Sequence, residues 1–118
     1  MEIKGLILAA GRGKRMGNLT NDAPKGFFEI NFKRLIDWQL DAFNASGIKN
    51  VAIVTGYKRE LFNFNTHYFI NEDWSNTNSV KSILCASNWF GEQTVIVSYS
   101  DILFRSELLE RLIKVKGD

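Results

Sequence analysis

A glycine-rich, basic segment follows the first apolar run of the sequence and gives the clearest chemical signal. After Ile3–Ala9, glycines and cations alternate closely as Gly11, Arg12, Gly13, Lys14, Arg15 and Gly17. Glycines let the backbone approach a ligand and turn its N–H groups towards an anion. Fixed cations beside such donors suit a triphosphate. The segment therefore predicts phosphate binding, against the simpler interpretation of a solvated basic loop that needs glycine only for turning.

The spacing of these glycines decides which kind of phosphate loop is present. A Walker A loop ends in Gly-Lys-Ser/Thr, and this segment does not. Gly11, Gly13 and Gly17 also give a loose dinucleotide fingerprint, which requires a helix to open inside the loop. Residues 18–24 are instead polar and turn-prone, and they end at Pro24, the only proline. The dinucleotide interpretation is therefore rejected.

A carboxylate late in the sequence adds a candidate metal ligand. Asp101 comes shortly after the apolar segment Val95–Ser98. Mg²⁺ prefers oxygen ligands and keeps several waters, so a single carboxylate beside bound phosphates can hold it. The alternative interpretation is an aspartate that caps the following turn.

Segments of two periodicities alternate along the chain and must position these groups. Apolar runs predict strands over Ile3–Ala9, Phe27–Ile30, Asn50–Thr55, His67–Ile70 and Gln93–Ser98. Helical spacing predicts helices over Lys33–Ser46, Tyr57–Phe64 and Val80–Ser87, and a last one from Ser106. Gly11–Gly26 is predicted as a long loop. The alternation indicates an α/β fold with a mostly parallel sheet, which binds ligands beyond the carboxyl ends of its strands.

Composition fits a single folded domain of ordinary charge. The 118 residues are 45% hydrophobic, and 15 basic against 13 acidic side chains leave a net charge of +2. This balance argues against nucleic acid or a membrane surface as a partner, and the apolar run near the N-terminus is too short to span a bilayer. The single cysteine, Cys85, excludes an internal disulfide and a cysteine-based zinc cluster. We therefore expect a cytoplasmic protein.

The glycine segment together with a Pro-Lys pair resembles the signature of the nucleotidyltransferase family. The matching residues are Leu8-Ala9-Ala10-Gly11-x-Gly13-x-Arg15-Met16 and Pro24-Lys25, and the resemblance continues to Ser98-Tyr99-Ser100-Asp101. This family includes sugar-1-phosphate nucleotidyltransferases and phosphocholine cytidylyltransferases. The resemblance implies a Rossmann-like fold of the glycosyltransferase-A type, with a mostly parallel sheet and flanking helices. The Asn-rich segment Asn76–Ser82 is most similar to the phosphocholine or phosphonate cytidylyltransferase branch.

The resemblance also implies a reaction and its site residues. A nucleoside triphosphate, with CTP favoured, would transfer its nucleoside monophosphate to a sugar-1-phosphate, phosphocholine or a phosphonate and release pyrophosphate. By the family pattern, Arg15 and Lys25 would be catalytic and Asp101 would hold Mg²⁺. Nucleotide binding would fall to Leu8, Ala9, Ala10, Gly11, Gly13, Lys14, Arg15, Asn71, Asn78 and Ser79. The acceptor phosphate is already ionised, so this chemistry needs positioning and charge neutralisation and no general base.

The length favours one alternative to this reaction. Family members run considerably longer, so residues 1–118 are expected to form the N-terminal, nucleotide-binding part of an incomplete nucleotidyltransferase domain. The alternative function is a truncated nucleotide-binding module without catalysis. A homo-oligomer is expected to cover the exposed part of the sheet. An RNA-binding loop is disfavoured, because no aromatic residues interleave a basic face.

The remaining residues with chemical potential are given mostly structural interpretations. His67 is the only histidine and lies in a predicted strand, and Cys85 lies on a predicted helix. Trp38 and Trp89 are interpreted as packing residues. Trp74, in the predicted loop beside the nucleotide site, is kept as a candidate for stacking on a base or holding a cation.

Overall fold

The computed structural model describes residues 3–12 and 23–117 of the chain. Strands and helices alternate along it, as the sequence predicts. In chain order the elements are β1 (Ile3–Ala9), β2 (Glu29–Ile30), β3 (Lys33–Arg34), α1 (Leu35–Ala45), β4 (Asn50–Thr55), β5 (His67–Ile70), α2 (Ser79–Cys85), α3 (Ser87–Phe90), β6 (Thr94–Tyr99) and α4 (Ser106–Gly117).

Within the described residues, parallel strands form a central sheet of four in the order β5–β4–β1–β6. β1 pairs on both sides, so that Leu6 lies opposite Ala52 of β4 and Val97 of β6. A strand buried on both faces needs a continuous apolar run, which β1 has, and its Leu6 and Ile7 are fully buried. The carboxyl ends of all these strands reach the same edge of the sheet, where such folds bind their ligands.

Helices cover both faces of the sheet, because successive strand residues point to opposite faces. On one face, Ile7 of β1 packs with Phe43 of α1 and Leu109 of α4. On the other face, Leu6 packs with Ala86, which joins α2 to α3. The predicted α/β fold with a parallel sheet and flanking helices is therefore confirmed. None of the helices in the described part of the chain is long and apolar enough to cross a membrane.

Apolar side chains lie exposed beside β6, which is an edge strand of the described sheet. Val97 and Tyr99 of β6 are both exposed, as are Val80 and Leu84 of α2. The Tyr99 hydroxyl donates a hydrogen bond to Ser79 Oγ at 3.3 Å, which joins β6 to the start of α2. The strand and these apolar side chains are called the β6 edge below.

The predicted bounds of most strands are correct, and the errors lie around a small hairpin. β1, β4 and β5 have the predicted bounds, and β6 is shifted by one residue from Gln93–Ser98. The strand predicted over Phe27–Ile30 shortens to β2, because a 3-10 turn occupies Lys25–Phe27. The helix predicted from Lys33 begins at Leu35, because β3 pairs antiparallel with β2. Helical periodicity does not reveal a pairing of this kind.

The helix predicted over Tyr57–Phe64 is wrong apart from a single 3-10 turn, Arg59–Leu61. Lys58, before this turn, has the left-handed conformation with φ 54°, and Phe62, after it, is extended. The ring of Phe62 then contacts that of Phe27 edge-on, with 5.0 Å between the centroids. Aromatic packing between distant segments therefore overrides the local helical pattern.

The turn between β2 and β3 holds a backbone strain that one substitution can relieve. Asn31 and Phe32 have positive φ values of 55° and 64°, as a tight two-residue hairpin turn requires. Phe32 is 99% exposed, so its ring contributes no packing, and a residue with a Cβ loses about 1–2 kcal/mol in this conformation. We expect Phe32→Gly to raise the free energy of unfolding by about 1 kcal/mol in urea denaturation.

Phe32→Ala is the matched control for this prediction. It removes the same exposed ring but keeps the Cβ, so it should leave the free energy of unfolding close to that of the wild type. If the alanine variant gains as much stability as the glycine variant, the backbone conformation of the turn is not the source of the effect.

Candidate functional site

A cleft of about 160 Å³ opens beyond the carboxyl ends of the parallel strands. Its walls come from the end of β1, the turn after Pro24, the segment after β5, the start of α2 and the end of β6. The predicted site residues that line it are Leu8, Ala9, Ala10, Gly11, Lys25, Asn71, Asn78 and Ser79. Gly13, Lys14 and Arg15 lie outside the described residues, so their roles stay predictions.

Backbone hydrogen bonds continue the sheet past the strand ends and fix the floor of the cleft. The amide of Tyr57 donates to the Ala10 carbonyl at 2.8 Å, and the amide of Ser100 donates to the Leu8 carbonyl at 3.1 Å. Ala10 and Gly11 therefore leave the sheet in a fixed direction. Small side chains and backbone at this point allow an anion to approach closely.

Gly56 lets the segment after β5 close against the end of β1. A Cβ on Gly56 would lie 2.7 Å from Trp74 Cβ and 2.9 Å from the carbonyl oxygens of Ala10 and Asn71. Two of these contacts are to backbone, which cannot move aside easily. This glycine was not among the predicted site residues, although a glycine directly after a buried strand is a sequence signal for close backbone approach.

Lys25, which lines the cleft, forms an ion pair with Asp101, which is not among the lining residues. Lys25 Nζ lies 3.1 Å from Asp101 Oδ2, and the two side chains are 26% and 38% exposed. Lys25 opens the 3-10 turn after the buried Pro24, and Gly26 packs against Ser100: a Cβ on Gly26 would lie 3.0 Å from Ser100 Cβ. The missing Cβ therefore lets this turn approach the end of β6. The two residues that the sequence singled out for catalysis and metal binding thus come together.

The donor set around Asp101 fits a magnesium ion held jointly with a nucleotide. Among the described residues, no group of three or more histidine, cysteine or acidic side chains could hold a metal alone. Mg²⁺ commonly takes one or two carboxylates, several waters and substrate phosphate oxygens. One partly exposed carboxylate, paired with a lysine that lines the cleft, would fit that pattern, and Asp101 is the candidate protein ligand.

Asn71 shapes the wall of the cleft from a buried position. Its amide nitrogen donates to Thr77 Oγ1 at 3.0 Å and to Ser82 Oγ at 3.1 Å, and its side-chain oxygen accepts from the Asp73 amide at 3.1 Å. Both amide hydrogens are thus used within the protein. These bonds hold the segment between β5 and α2 in place, and contact of Asn71 with a nucleotide stays a prediction.

Asn78 and Ser79 begin α2 on the cleft wall. The side-chain oxygen of Asn78 accepts from the amides of Val80 and Lys81, at 3.1 and 3.4 Å, which is a helix N-cap. This cap uses the oxygen of the Asn78 amide and leaves its nitrogen to donate elsewhere. Ser79 Oγ accepts the Tyr99 hydroxyl and lines the same wall.

An aromatic pair supports the opposite side of the cleft. Trp74 lines the cleft, and its ring meets that of Tyr57 edge-on with 5.1 Å between the centroids. The guanidinium of Arg12 lies 5.7 Å from the centre of the Tyr57 ring. The aromatic pair therefore connects the beginning of the glycine segment to the segment after β5. Stacking of Trp74 on a base stays a prediction.

The residues interpreted as structural lie in packing positions. The His67 ring lies 6.0 Å from that of Trp89, at the amino end of β5 and thus away from the cleft. The ammonium of Lys4 also lies over Trp89, at 4.7 Å. Trp38 Nε1 donates to the Ile30 carbonyl at 2.9 Å. Cys85 packs against the apolar cluster beneath α2 and α3.

Known protein sequences resemble this chain along almost its whole length. The family described as MobA-like NTP transferase domain matches residues 5–117. CTP:phosphoglutamine cytidylyltransferase of Campylobacter jejuni is 34% identical over 127 residues, which cover 98% of this chain and 50% of that protein. 2-Aminoethylphosphonate cytidylyltransferase of Lancefieldella rimae is 25% identical and covers 86% of this chain, with 44% of its own length matched.

A solved structure resembles this fold closely. CTP:phosphocholine cytidylyltransferase from Streptococcus pneumoniae matches with a TM-score of 0.81 and 26% identity, over 91% of this chain and 50% of that one. This similarity confirms the expected glycosyltransferase-A-like, Rossmann-like fold. The chain spans about half the length of the relatives it matches.

Gly56 provides a test of how the cleft is closed. We expect Gly56→Ala to lower the free energy of unfolding by about 2 kcal/mol, because overpacking against fixed backbone typically has a cost of this order. Urea denaturation measures it. Gly11→Ala is the matched control, because nothing among the described residues lies within 4 Å of a Cβ at Gly11. Equal stability losses in the two variants would contradict the proposed close approach at Gly56.

Proposed function

Because this chain belongs to the MobA-like NTP transferase domain family, we propose that it forms the nucleotide-binding part of a cytidylyltransferase. The reaction transfers CMP from CTP to the phosphate or phosphonate group of a small molecule and releases pyrophosphate. The observation that carries the proposal is that Gly11 and Lys25 line one cleft, and that the Asp101 carboxylate pairs with the Lys25 ammonium.

The chemistry is an in-line displacement at the α-phosphorus of the nucleotide. An oxygen of the acceptor phosphate forms a bond to this phosphorus, and the bond to the bridging oxygen of pyrophosphate breaks. The acceptor oxygen is already ionised, so no proton has to be removed. The main requirement is to bring two anions together, which calls for fixed cations and oriented N–H groups.

Each part of this requirement has a proposed residue. The backbone from Gly11 to Gly13 and the side chain of Arg15 bind the departing pyrophosphate. Lys25 contacts the α-phosphate or the incoming phosphate, where negative charge concentrates during the displacement. Its supporting evidence is that Lys25 lines the cleft on a turn held by Pro24 and Gly26.

Recognition of cytosine is proposed for the wall at the start of α2. Asn78 uses its amide oxygen in the helix cap, so its amide nitrogen can donate to the acceptor atoms of a cytosine ring. Ser79 contributes a hydroxyl beside it. The choice of CTP is supported by the relatives from Campylobacter jejuni and Streptococcus pneumoniae, whose names specify CTP.

Asp101 is the proposed protein ligand for Mg²⁺. When bound, the ion would neutralise charge on the phosphate oxygens and make the α-phosphorus easier to attack. With Asp101 holding the metal instead of pairing with Lys25, the Lys25 ammonium would be available to contact phosphate. The partial exposure of both side chains makes this exchange inexpensive, since such ion pairs contribute about 1 kcal/mol or less.

A pyrophosphate-release assay tests the proposed function. The protein is incubated with Mg²⁺, one of CTP, UTP, ATP or GTP, and phosphocholine, 2-aminoethylphosphonate or glucose-1-phosphate. We expect release with CTP and an acceptor of the first two kinds. Binding of Mg-CTP without turnover would instead support a nucleotide-binding module, and failure to bind any of the nucleotides would contradict both functions.

The role of Lys25 can be tested by removing its charge. We expect Lys25→Ala to lower kcat by about 100-fold, as loss of one transition-state donor typically does. Lys49→Ala is the control, because Lys49 is exposed and precedes β4, at the opposite edge of the sheet. Circular dichroism checks that both variants fold. If the Lys25→Ala variant folds and has the wild-type kcat, Lys25 has no role in catalysis.

The role of Asp101 can be tested by a metal titration. Asp101→Asn keeps the size of the side chain but removes its charge, so we expect half-maximal activity to require about tenfold more Mg²⁺. Asp41→Asn is the control, because Asp41 pairs with Lys33 outside the cleft. Superimposable titration curves for Asp101→Asn and the wild type would show that Asp101 does not bind the metal.

A further inference from the structure

Gln39 is a fully buried polar residue in α1 whose role the reaction does not explain. It lies on the inner face of the helix between Ile36 and Phe43, which are also fully buried. An apolar residue would be the ordinary choice at this spacing. A buried amide is costly unless each of its polar groups has a partner, so its hydrogen bonds indicate what it stabilises.

All the hydrogen bonds of the Gln39 side chain go to the end of β6. Its Nε2 donates to the carbonyl oxygens of Tyr99 and Ile102, both at 2.6 Å. Its Oε1 accepts from Ser98 Oγ at 2.9 Å. Both amide hydrogens and the amide oxygen are therefore engaged, and the partners are about 60 residues distant in the sequence.

The carbonyls that Gln39 binds are the two ends of a tight turn. The amide of Ile102 donates to the Tyr99 carbonyl at 3.2 Å, so Ser100 and Asp101 occupy the central positions of a four-residue turn. Gln39 contacts the first and last residues of this turn from inside the protein. It thereby limits how far the turn can open, and Asp101 moves with the turn.

The same turn is held from its other side by the segment that carries Lys25. Ser100 is fully buried and lies against Gly26, where a Cβ would come within 3.0 Å of it. The turn therefore lies between the Gln39 amide and the Lys25–Gly26 backbone. The backbone that carries Asp101 is thereby held beside the backbone of Lys25, and the two side chains form the ion pair at 3.1 Å.

We propose that Gln39 is a positioning residue that holds the Tyr99–Ile102 turn closed and fixes Asp101 beside Lys25. Its hydrogen bonds to the Tyr99 and Ile102 carbonyls are called the Gln39 clasp below. One part of this proposal rests on the proposed function, namely that Asp101 binds the metal with the nucleotide. Closure of the turn is a property of the protein alone. The two parts can therefore be measured separately.

Gln39→Met is the variant that separates the clasp from simple core filling. Methionine has nearly the same volume and suits a helix, but it has no hydrogen to donate to the carbonyls. We expect hydrogen exchange at the Ile102 amide, followed by NMR, to become about tenfold faster while the amides of β4 keep their protection. We also expect the dissociation constant for Mn²⁺ in the presence of CTP, measured by electron paramagnetic resonance, to rise about tenfold.

Ser98→Ala is the matched control, because it removes a hydrogen bond from the same buried cluster and leaves both carbonyl contacts in place. Ile102 exchange and Mn²⁺ affinity should then stay at wild-type values. Gln39→Asn is the second variant if Gln39→Met fails to fold: it keeps the amide but withdraws it by one methylene, and it should show the same two losses.

The clasp would be overturned if the Ile102 amide of folded Gln39→Met exchanged at the wild-type rate. It would also be overturned if Ser98→Ala lost as much Ile102 protection and Mn²⁺ affinity as Gln39→Met. A wild-type protein that binds no Mn²⁺ with CTP would overturn the metal role of Asp101, and Ile102 exchange would still decide the clasp. Faster Ile102 exchange with unchanged Mn²⁺ affinity would show that the clasp does not position Asp101 for the metal, and so would overturn that part of the proposal.

Discussion

The hydrogen bonds that join β1 to β4 on one side and to β6 on the other fix the starting points of the segments that follow these strands, which carry Gly11 and Asp101. Parallel neighbours require long crossovers, so Gly11 and Asp101 come from opposite parts of the sequence. The strands before them, β1 and β6, are parallel neighbours and end at the same edge of the sheet. Single backbone bonds from Tyr57 and Ser100 extend that register into the cleft. Any change that shifts β1 would therefore move the Gly11 backbone, which is proposed to bind phosphate, relative to the Asp101 carboxylate.

Charged and neutral polar groups have different places in this site. Lys25 and Asp101 are partly exposed, so their pairing is weak and each can exchange its partner for a phosphate or a metal. Asn71 and Gln39 are buried, and all their amide hydrogens are bonded within the protein. Breaking those bonds without replacement would leave buried polar groups unsatisfied. Lys25 and Asp101 can therefore change partners, whereas Asn71 and Gln39 keep their hydrogen bonds within the protein.

Much of the sheet could be predicted from sequence because β1 is a continuous apolar run, and the glycine segment marks its carboxyl end. Lys25 and Asp101 could be singled out through the resemblance to the nucleotidyltransferases, because Lys25 belongs to the Pro-Lys pair and Asp101 follows an apolar segment. The roles of Gln39 and Gly56 could not, because each depends on contacts between segments distant in sequence. The helix predicted from Tyr57 fails for the same reason, since aromatic contacts decide that segment.

The β6 edge has a consequence for the behaviour of the protein in solution. Within the described sheet, β6 is paired with β1 on one side only, and exposed apolar side chains lie beside it. A strand in this position offers its outer backbone groups as a template on which another extended chain can add. Self-association by strand addition should therefore grow with protein concentration. Dilute samples, and charged residues introduced along this edge, favour a soluble preparation.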